Sequence, residues 1–314
     1  MQVHFLKLSL VLISVLCMMG ADGCHPVDLY KNRYLDKMAA ANYVQKTVVL
    51  GPDTVTYWDN HAQKPPLLLA HGFGGGGTWS WTKQFLELGQ HFRVISADFL
   101  WFHDSHSTRR DFSIKHQAEM LSALLKHLDI EKTNILGTSY GGLVAYQLAM
   151  LEPERLDRII IAASPGPDYN TRDYEAMCER LGIQHLGELL LVEDTDDFEF
   201  LMNNIYYKDR WMPDWAQRRL VETHYTKFHP ERVQLLDAVI NQRAELVKAS
   251  APLKHDVLLI YGEYDLLFPV SLGQRYKDYL GSNASLKVVE NTRHVAQIER
   301  PDIFNQMVLE FLIP

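Results

Sequence analysis

Ile135-Leu136-Gly137-Thr138-Ser139-Tyr140-Gly141-Gly142 joins a short apolar run to a helical pattern without an intervening loop. A strand can pass into a helix that abruptly only through a sharp turn whose central residue is held in a strained backbone conformation. Bulky neighbours would collide there, and Gly137 and Gly141 remove the collision. The turn lifts the Ser139 hydroxyl above the strand, and the helix starting beside it aims unpaired N–H groups at any negative charge that develops nearby. The feature demands a buried strand, a helix packed back over it, and an open edge between the two. Repeated along a chain, that arrangement is an α/β fold.

The rest of the sequence repeats it. Residues 66–70, 93–97, 134–136, 158–162, 257–261 and 285–289 are short apolar runs of the kind buried in parallel sheets. Residues 47–50 and 53–58 read as a hairpin around Gly51-Pro52. Residues 114–128 place Ile114, Ala118, Leu121, Leu124, Leu125 and Leu128 at helical spacing, and Leu143, Val144, Tyr146, Leu148 and Ala149 continue the helix after Ser139. Residues 302–312 read as a closing helix. The alternation predicts a doubly wound, mostly parallel sheet. Between Ser164 and Ala251 the strands stop and helical patterns rich in aromatics take over, among them Phe200, Met202, Tyr206, Trp211 and Met212. This stretch reads as a helical cap inserted in the core, with most of its aromatics packing helices and a minority facing a ligand. The predicted organisation is a leader over 1–23, core over 24–163, cap over 164–251 and the remaining core over 252–314.

The leader follows from its own pattern. Lys7 precedes an apolar run over residues 8–19, and Gly20, Ala21 and Gly23 then lead to Cys24. This is the layout of a secretory signal, and the run is short for a membrane span of about 20 residues. Export with cleavage near Gly23 is expected, to a periplasmic, secreted or membrane-anchored form; a retained leader is the alternative anchor. Ala21-Asp22-Gly23-Cys24 is similar to a bacterial lipid-attachment box, with Asp22 fitting it poorly, so Cys24 is a lipidation candidate as well as an incidental cysteine. With Cys17 inside the leader, only Cys24 and Cys178 remain, which leaves no disulfide framework. The 31 Lys and Arg against 39 Asp and Glu give a net charge of −8, with no basic block. That excludes the footprint of a nucleic-acid binder.

A serine hydroxyl is a poor nucleophile until a base takes its proton, and the base needs a carboxylate to orient it. Fourteen histidines compete for that role. His294 follows the strand 285–289 and falls at the carboxyl edge of the sheet, and Asp265 occupies the matching loop after 257–261. Catalytic groups of open α/β sheets gather at that edge. Two donors are also needed for an oxyanion, and His71-Gly72-Phe73-Gly74 after the strand 66–70 can present the Phe73 N–H beside the Tyr140 N–H. His71 reads as a brace for that loop. His103, Asp104 and His106 lack a third ligand at metal-binding spacing, and no Gly-Lys-Ser/Thr follows Gly74–Gly77, so neither a metal nor a phosphate loop is expected. Asn283-Ala284-Ser285 fits the glycosylation pattern, relevant only in a eukaryotic secretory route.

Over residues 47–312 the chain resembles the α/β-hydrolase superfamily. His71-Gly72-Phe73, the segment Asp98-Phe99-Leu100-Trp101-Phe102-His103-Asp104-Ser105, the Ser139 motif, and the late Asp265 and His294 look most like the monoacylglycerol-lipase-like serine hydrolases. The resemblance implies Ser139 as nucleophile, Asp265 as acid and His294 as base, no cofactor or metal, and a small-molecule ester as substrate. Many relatives carry glycine at the positions of Trp101, His103 and Arg293, which implies differently shaped loops here. The expected activity is cleavage of carboxylic esters, such as monoacylglycerols, through an acyl-serine. Hydrolysis of carbon–carbon bonds in vinylogous diketones and a non-catalytic receptor on the same fold are the alternatives.

Overall fold

The computed structural model describes residues 25–241 and 251–313; the leader, Cys24 and residues 242–250 lie outside them. Nine strands form one sheet: β1 (Val44–Leu50), β2 (Asp53–Asp59), β3 (Pro66–Ala70), β4 (Arg93–Ala97), β5 (His106–Ser107), β6 (Thr133–Thr138), β7 (Leu156–Ala162), β8 (Val257–Gly262) and β9 (Ala284–Val289). Their order is β1-β2-β4-β3-β6-β7-β8-β9, with β5 pairing to β2. From β4 to β9 every pair is parallel, while β1, β2 and β5 make antiparallel pairs. Gly51 at φ +64 opens the two-residue turn between β1 and β2, a conformation that costs glycine nothing.

Alternating side chains of the central strands bury both faces. Leu68, Ala70, Ile95, Ile135, Ile161 and Leu259 pack with the helices Ile114–His127, Tyr140–Leu151 and Val270–Leu280. Leu67, Leu69, Val94, Leu136, Ile160 and Ile260 pack with Trp81, Phe85 and the helix Pro301–Leu312. The second face also receives Tyr34 and Met38 from a helix over Pro26–Ala40. The sequence reading assigned no helix there, because these two are its only buried side chains and leave little periodic signal.

The chain runs from β3 outward to β4 and then crosses back to β6 on the opposite side of β3. Loops leaving β3 and β6 therefore diverge, opening a crevice at the carboxyl edge. His71 follows β3 and Ser139 follows β6. Between β7 and β8 the described residues form helices over Thr171–Leu181, Gly187–Leu190, Thr195–Ile205, Asp214–His224 and His229–Asn241. Two of these helices have side-chain caps: Asn170 and Asp173 form a reciprocal cap on the first, Asp194 accepts from two backbone N–H groups at the third, and Gly182 at φ +68 closes the first.

Candidate active site

Ser139 sits at φ 53, ψ −118, a region that costs a non-glycine residue about 1–3 kcal/mol. Its surroundings hold it there. The Ser139 N–H donates to the Ala162 carbonyl at 2.8 Å, and its own carbonyl accepts from Ser164 Oγ at 2.7 Å. A Cβ on Gly137 would lie 2.3 Å from the Gly141 oxygen, and one on Gly141 would lie 2.1 Å from the Ala70 oxygen. Neither position can carry a side chain while the helix Tyr140–Leu151 crosses so close to β3.

Asp265 and His294 meet. His294 Nδ1 lies 2.9 Å from Asp265 Oδ2, with both residues buried. The other carboxylate oxygen, Oδ1, accepts from the N–H groups of Leu267 and Phe268 at 2.8 and 3.1 Å, which fixes the carboxylate plane. The two loops are bound to each other: Tyr264 N–H donates to the Thr292 carbonyl at 2.9 Å. A Cβ on Gly262 would stand 2.0 Å from the Arg293 oxygen, so glycine is what lets them approach.

The β3 loop closes the third side. A Cβ on Gly72 would touch Ser139 Cβ at 3.4 Å, which puts this loop directly over the serine. Phe99 N–H donates to His71 Nε2 at 2.9 Å, so the ring proton resides on Nδ1, which donates to the Gly72 carbonyl at 2.8 Å. Burial pushes the His71 imidazole down to about 3, and a neutral ring bracing the loop is what both bonds require. Asp98 Oδ1 accepts from Gly77 N–H at 2.6 Å, and burial raises the pKa of this carboxyl. The Tyr140 N–H is the first of its helix and has no carbonyl of that helix to meet.

Two cavities meet at Ser139. One, of about 90 Å³, is lined by Phe73, Ser139, Tyr140, Leu143, Met177 and Leu236 among others. The second, of about 200 Å³, carries Ser139 and His294 together with Ser80, His103, His224 and Gln297. Of the sequence-predicted residues, Phe73 and Ser139 line both cavities, Tyr140 lines the first and His294 the second, with Asp265 hydrogen-bonded behind His294.

Residues 65–301 match the family model described as alpha/beta hydrolase fold. The chain belongs to this family. A relative from Agrobacterium fabrum, provisionally named the carbamate hydrolase RutD, is 25% identical over 265 residues, covering 81% of this chain and 95% of its own. Among solved structures, a bacterial membrane phospholipase A, described as a virulence factor, superposes with a TM-score of 0.78 at 22% identity, covering 99% of this chain and 98% of its own. A 2-hydroxy-6-oxo-6-phenylhexa-2,4-dienoate hydrolase from Rhodococcus sp. strain RHA1 gives 0.73 at 23% identity, covering 85% and 98%. At these identities the two structures establish the α/β-hydrolase fold.

Within this α/β-hydrolase, two of the three positions where the resemblance implied glycine have a backbone that favours glycine. Trp101 sits at φ +72 and His103 at φ +49, so the loop retains its left-handed turns and places side chains on them. Trp101 is buried against Phe112, their rings 5.4 Å apart, and His103 projects into the second cavity. Glu299 escaped the sequence reading altogether. Its carboxylate accepts from Arg293 N–H at 2.8 Å and from Tyr207 N–H at 2.7 Å, tying the His294 loop to the helical insertion. Arg293 is six residues from Glu299 in the chain, but Tyr207 is 92 away, and nothing in the sequence pointed to that partner.

Proposed function

We propose that this α/β-hydrolase is a serine esterase acting on apolar acyl esters such as monoacylglycerols. The observation that carries the reading is the first cavity: Ser139 shares its lining with Leu143, Met177, Leu186, Leu236 and Val239. Such a wall desolvates an alkyl chain and offers little to a polar one. His294 takes the Ser139 proton as Oγ attacks the ester carbonyl, Asp265 stabilises the imidazolium, and the Phe73 and Tyr140 N–H groups hold the oxyanion. His294 then protonates the departing alcohol, and water attacking the acyl-Ser139 ester by the same route releases the acid. The described helices between β7 and β8 contribute to both cavities, with Met177, Leu186 and Leu236 in the first and Phe198, Leu201 and His224 in the second.

The alternative is carbon–carbon bond hydrolysis, and the compound named for the Rhodococcus neighbour, a dienoate, carries a carboxylate. Among the described residues neither cavity is lined by Lys or Arg, and an ester needs none. A panel of p-nitrophenyl esters with fluorophosphonate labelling tests the proposal: turnover and labelling are expected, whereas diketone cleavage without ester turnover would replace it. The leader over 1–23 completes the proposal as an export signal, with the mature chain starting near Cys24. Mass spectrometry of natively expressed protein should show that start, with added diacylglyceryl mass if Cys24 is lipidated; an intact Met1 would refute cleavage.

A further inference from the structure

Trp211 is 88% exposed, more than any other large apolar side chain among the described residues. Leaving a tryptophan in water forfeits a large hydrophobic gain, and exposed clusters of such residues mark interaction surfaces. Trp211 has company. It leads into the helix Asp214–His224, whose first turn exposes Trp215. The His25 ring meets Trp215 edge-on at 5.1 Å, and exposed Leu29 and Tyr30 lie one turn further along the helix Pro26–Ala40. An ion pair of 3.0 Å between Arg219 and Asp28 fixes the two helices to each other.

Charge and chain path identify the occupant. Over the helix Pro26–Ala40 and residues 208–224, Lys31, Arg33, Lys37, Lys208, Arg210, Arg218 and Arg219 outnumber Asp28, Asp36, Asp209, Asp214 and Glu222, on a chain whose net charge is −8. Aromatics interleaved with cations suit the boundary between lipid headgroups and acyl chains. The described chain begins at His25, directly after Cys24 and the apolar run over 8–19. The anchor proposed above would end one residue before His25, whose ring packs on Trp215. The inner side of the same helix lines the second cavity with Leu220 and His224.

We infer that the face bearing Leu29, Tyr30, Trp211 and Trp215 docks on an anionic phospholipid bilayer, with both tryptophans at headgroup depth. This contact is separate from any anchor in residues 1–24 and independent of the ester reading. The full chain mixed with vesicles of phosphatidylglycerol and phosphatidylcholine in equal parts, carrying brominated acyl chains, reads it directly through tryptophan quenching. Because the leader can tether every variant alike, Trp211→Phe isolates the local contact and should remove the largest share of the quenching. Lys208→Glu should weaken partition into these vesicles by about tenfold relative to pure phosphatidylcholine. Both side chains are exposed, so the thermal midpoint should not move. Equal quenching in wild type and Trp211→Phe would overturn the inference. So would a dimer that Trp211→Phe dissociates, since the face would then cover a second copy.

Discussion

The two cavities that meet at Ser139 differ in what they can strip of water. The first is walled by Leu143, Met177, Leu186, Leu236 and Val239 and rewards only apolar surface. The second is also largely apolar, with Phe198, Leu201, Met202, Ile205 and Leu220, but it adds Ser80, His103, His224 and Gln297 beside His294 and shares Trp79, His103 and His224 with a polar chamber reaching Lys31, Gln45, Asp98 and Lys227. His224 Nδ1 is buried there without a hydrogen-bond partner among the described residues. His224 lines this cavity, and a buried polar atom without a partner favours a ligand that can pair with it. Under the proposed esterase reading the acyl chain belongs to the first cavity and the departing alcohol to the second, with Ser139 lining both.

Breaking the junction gives the largest effect. Ser139→Ala should fold normally, lose roughly four orders of magnitude or more of ester turnover, and take up no fluorophosphonate. Residual labelling at the wild-type rate would move the nucleophile elsewhere and dissolve the division between the cavities.

How much of that division was legible in the sequence depends on the range of the forces involved. The parallel strands were readable because a strand buried on both faces must be apolar throughout, as Leu67, Leu68 and Leu69 are. Ser139 was readable because a strained turn needs Gly137 and Gly141 within two residues of it. Asp265 and His294 were readable as positions, since both follow strands to the same edge, but Gly262 as the contact point of their loops was not. β5 is two residues long, and β2 is held near it in part by Thr56 N–H donating to Ser105 Oγ, a contact between segments 49 residues apart. His224 belongs to the same class. It reaches the second cavity from the far end of the helix Asp214–His224, and only the folding of the insertion places it beside His103, with ring centroids 5.3 Å apart.

The acyl side can be sharpened by chain length. Each CH₂ withdrawn from water contributes up to about 0.8 kcal/mol, so two added carbons could raise kcat/KM roughly tenfold until the cavity is full. A p-nitrophenyl series from acetate upward, each ester below its aggregation limit, should climb and then flatten. Val239→Trp would fill part of the wall and move the plateau to shorter chains. A maximum at acetate in the wild-type protein would reject the apolar assignment.

The alcohol side predicts a smaller effect. His224→Phe keeps a ring of similar size and removes the polar atoms from the second cavity. With a fixed acyl group, the preference for a glyceryl over an ethyl ester should fall by about fivefold, the worth of roughly one hydrogen bond. The chain-length profile should stay as it was. An unchanged glyceryl preference would mean that the alcohol leaves by another route.

The smallest effect concerns stability, and it tests whether His224 is as deeply shielded as this contrast requires. Burial, with His103 and Lys31 adding like charge, pushes the His224 imidazole down to about 3 from an ordinary value of 6.5. The unfolded chain therefore binds a proton at this site that the folded chain refuses, so between those values stability rises with pH and is lost as pH falls. His71 acts in the same direction. His116 acts in the opposite one: although burial lowers its pKa, the bond to Asp53 and a backbone carbonyl raise it overall. A difference between two proteins cancels both. Relative to wild type, His224→Phe should gain on going from pH 7 to pH 5, by about 1 kcal/mol after allowance for the partial exposure of the ring, or roughly 2 degrees in thermal midpoint. Parallel pH profiles for the two proteins would show that water reaches His224 freely, and the second cavity would then be an open cleft and not a desolvated seat for the alcohol.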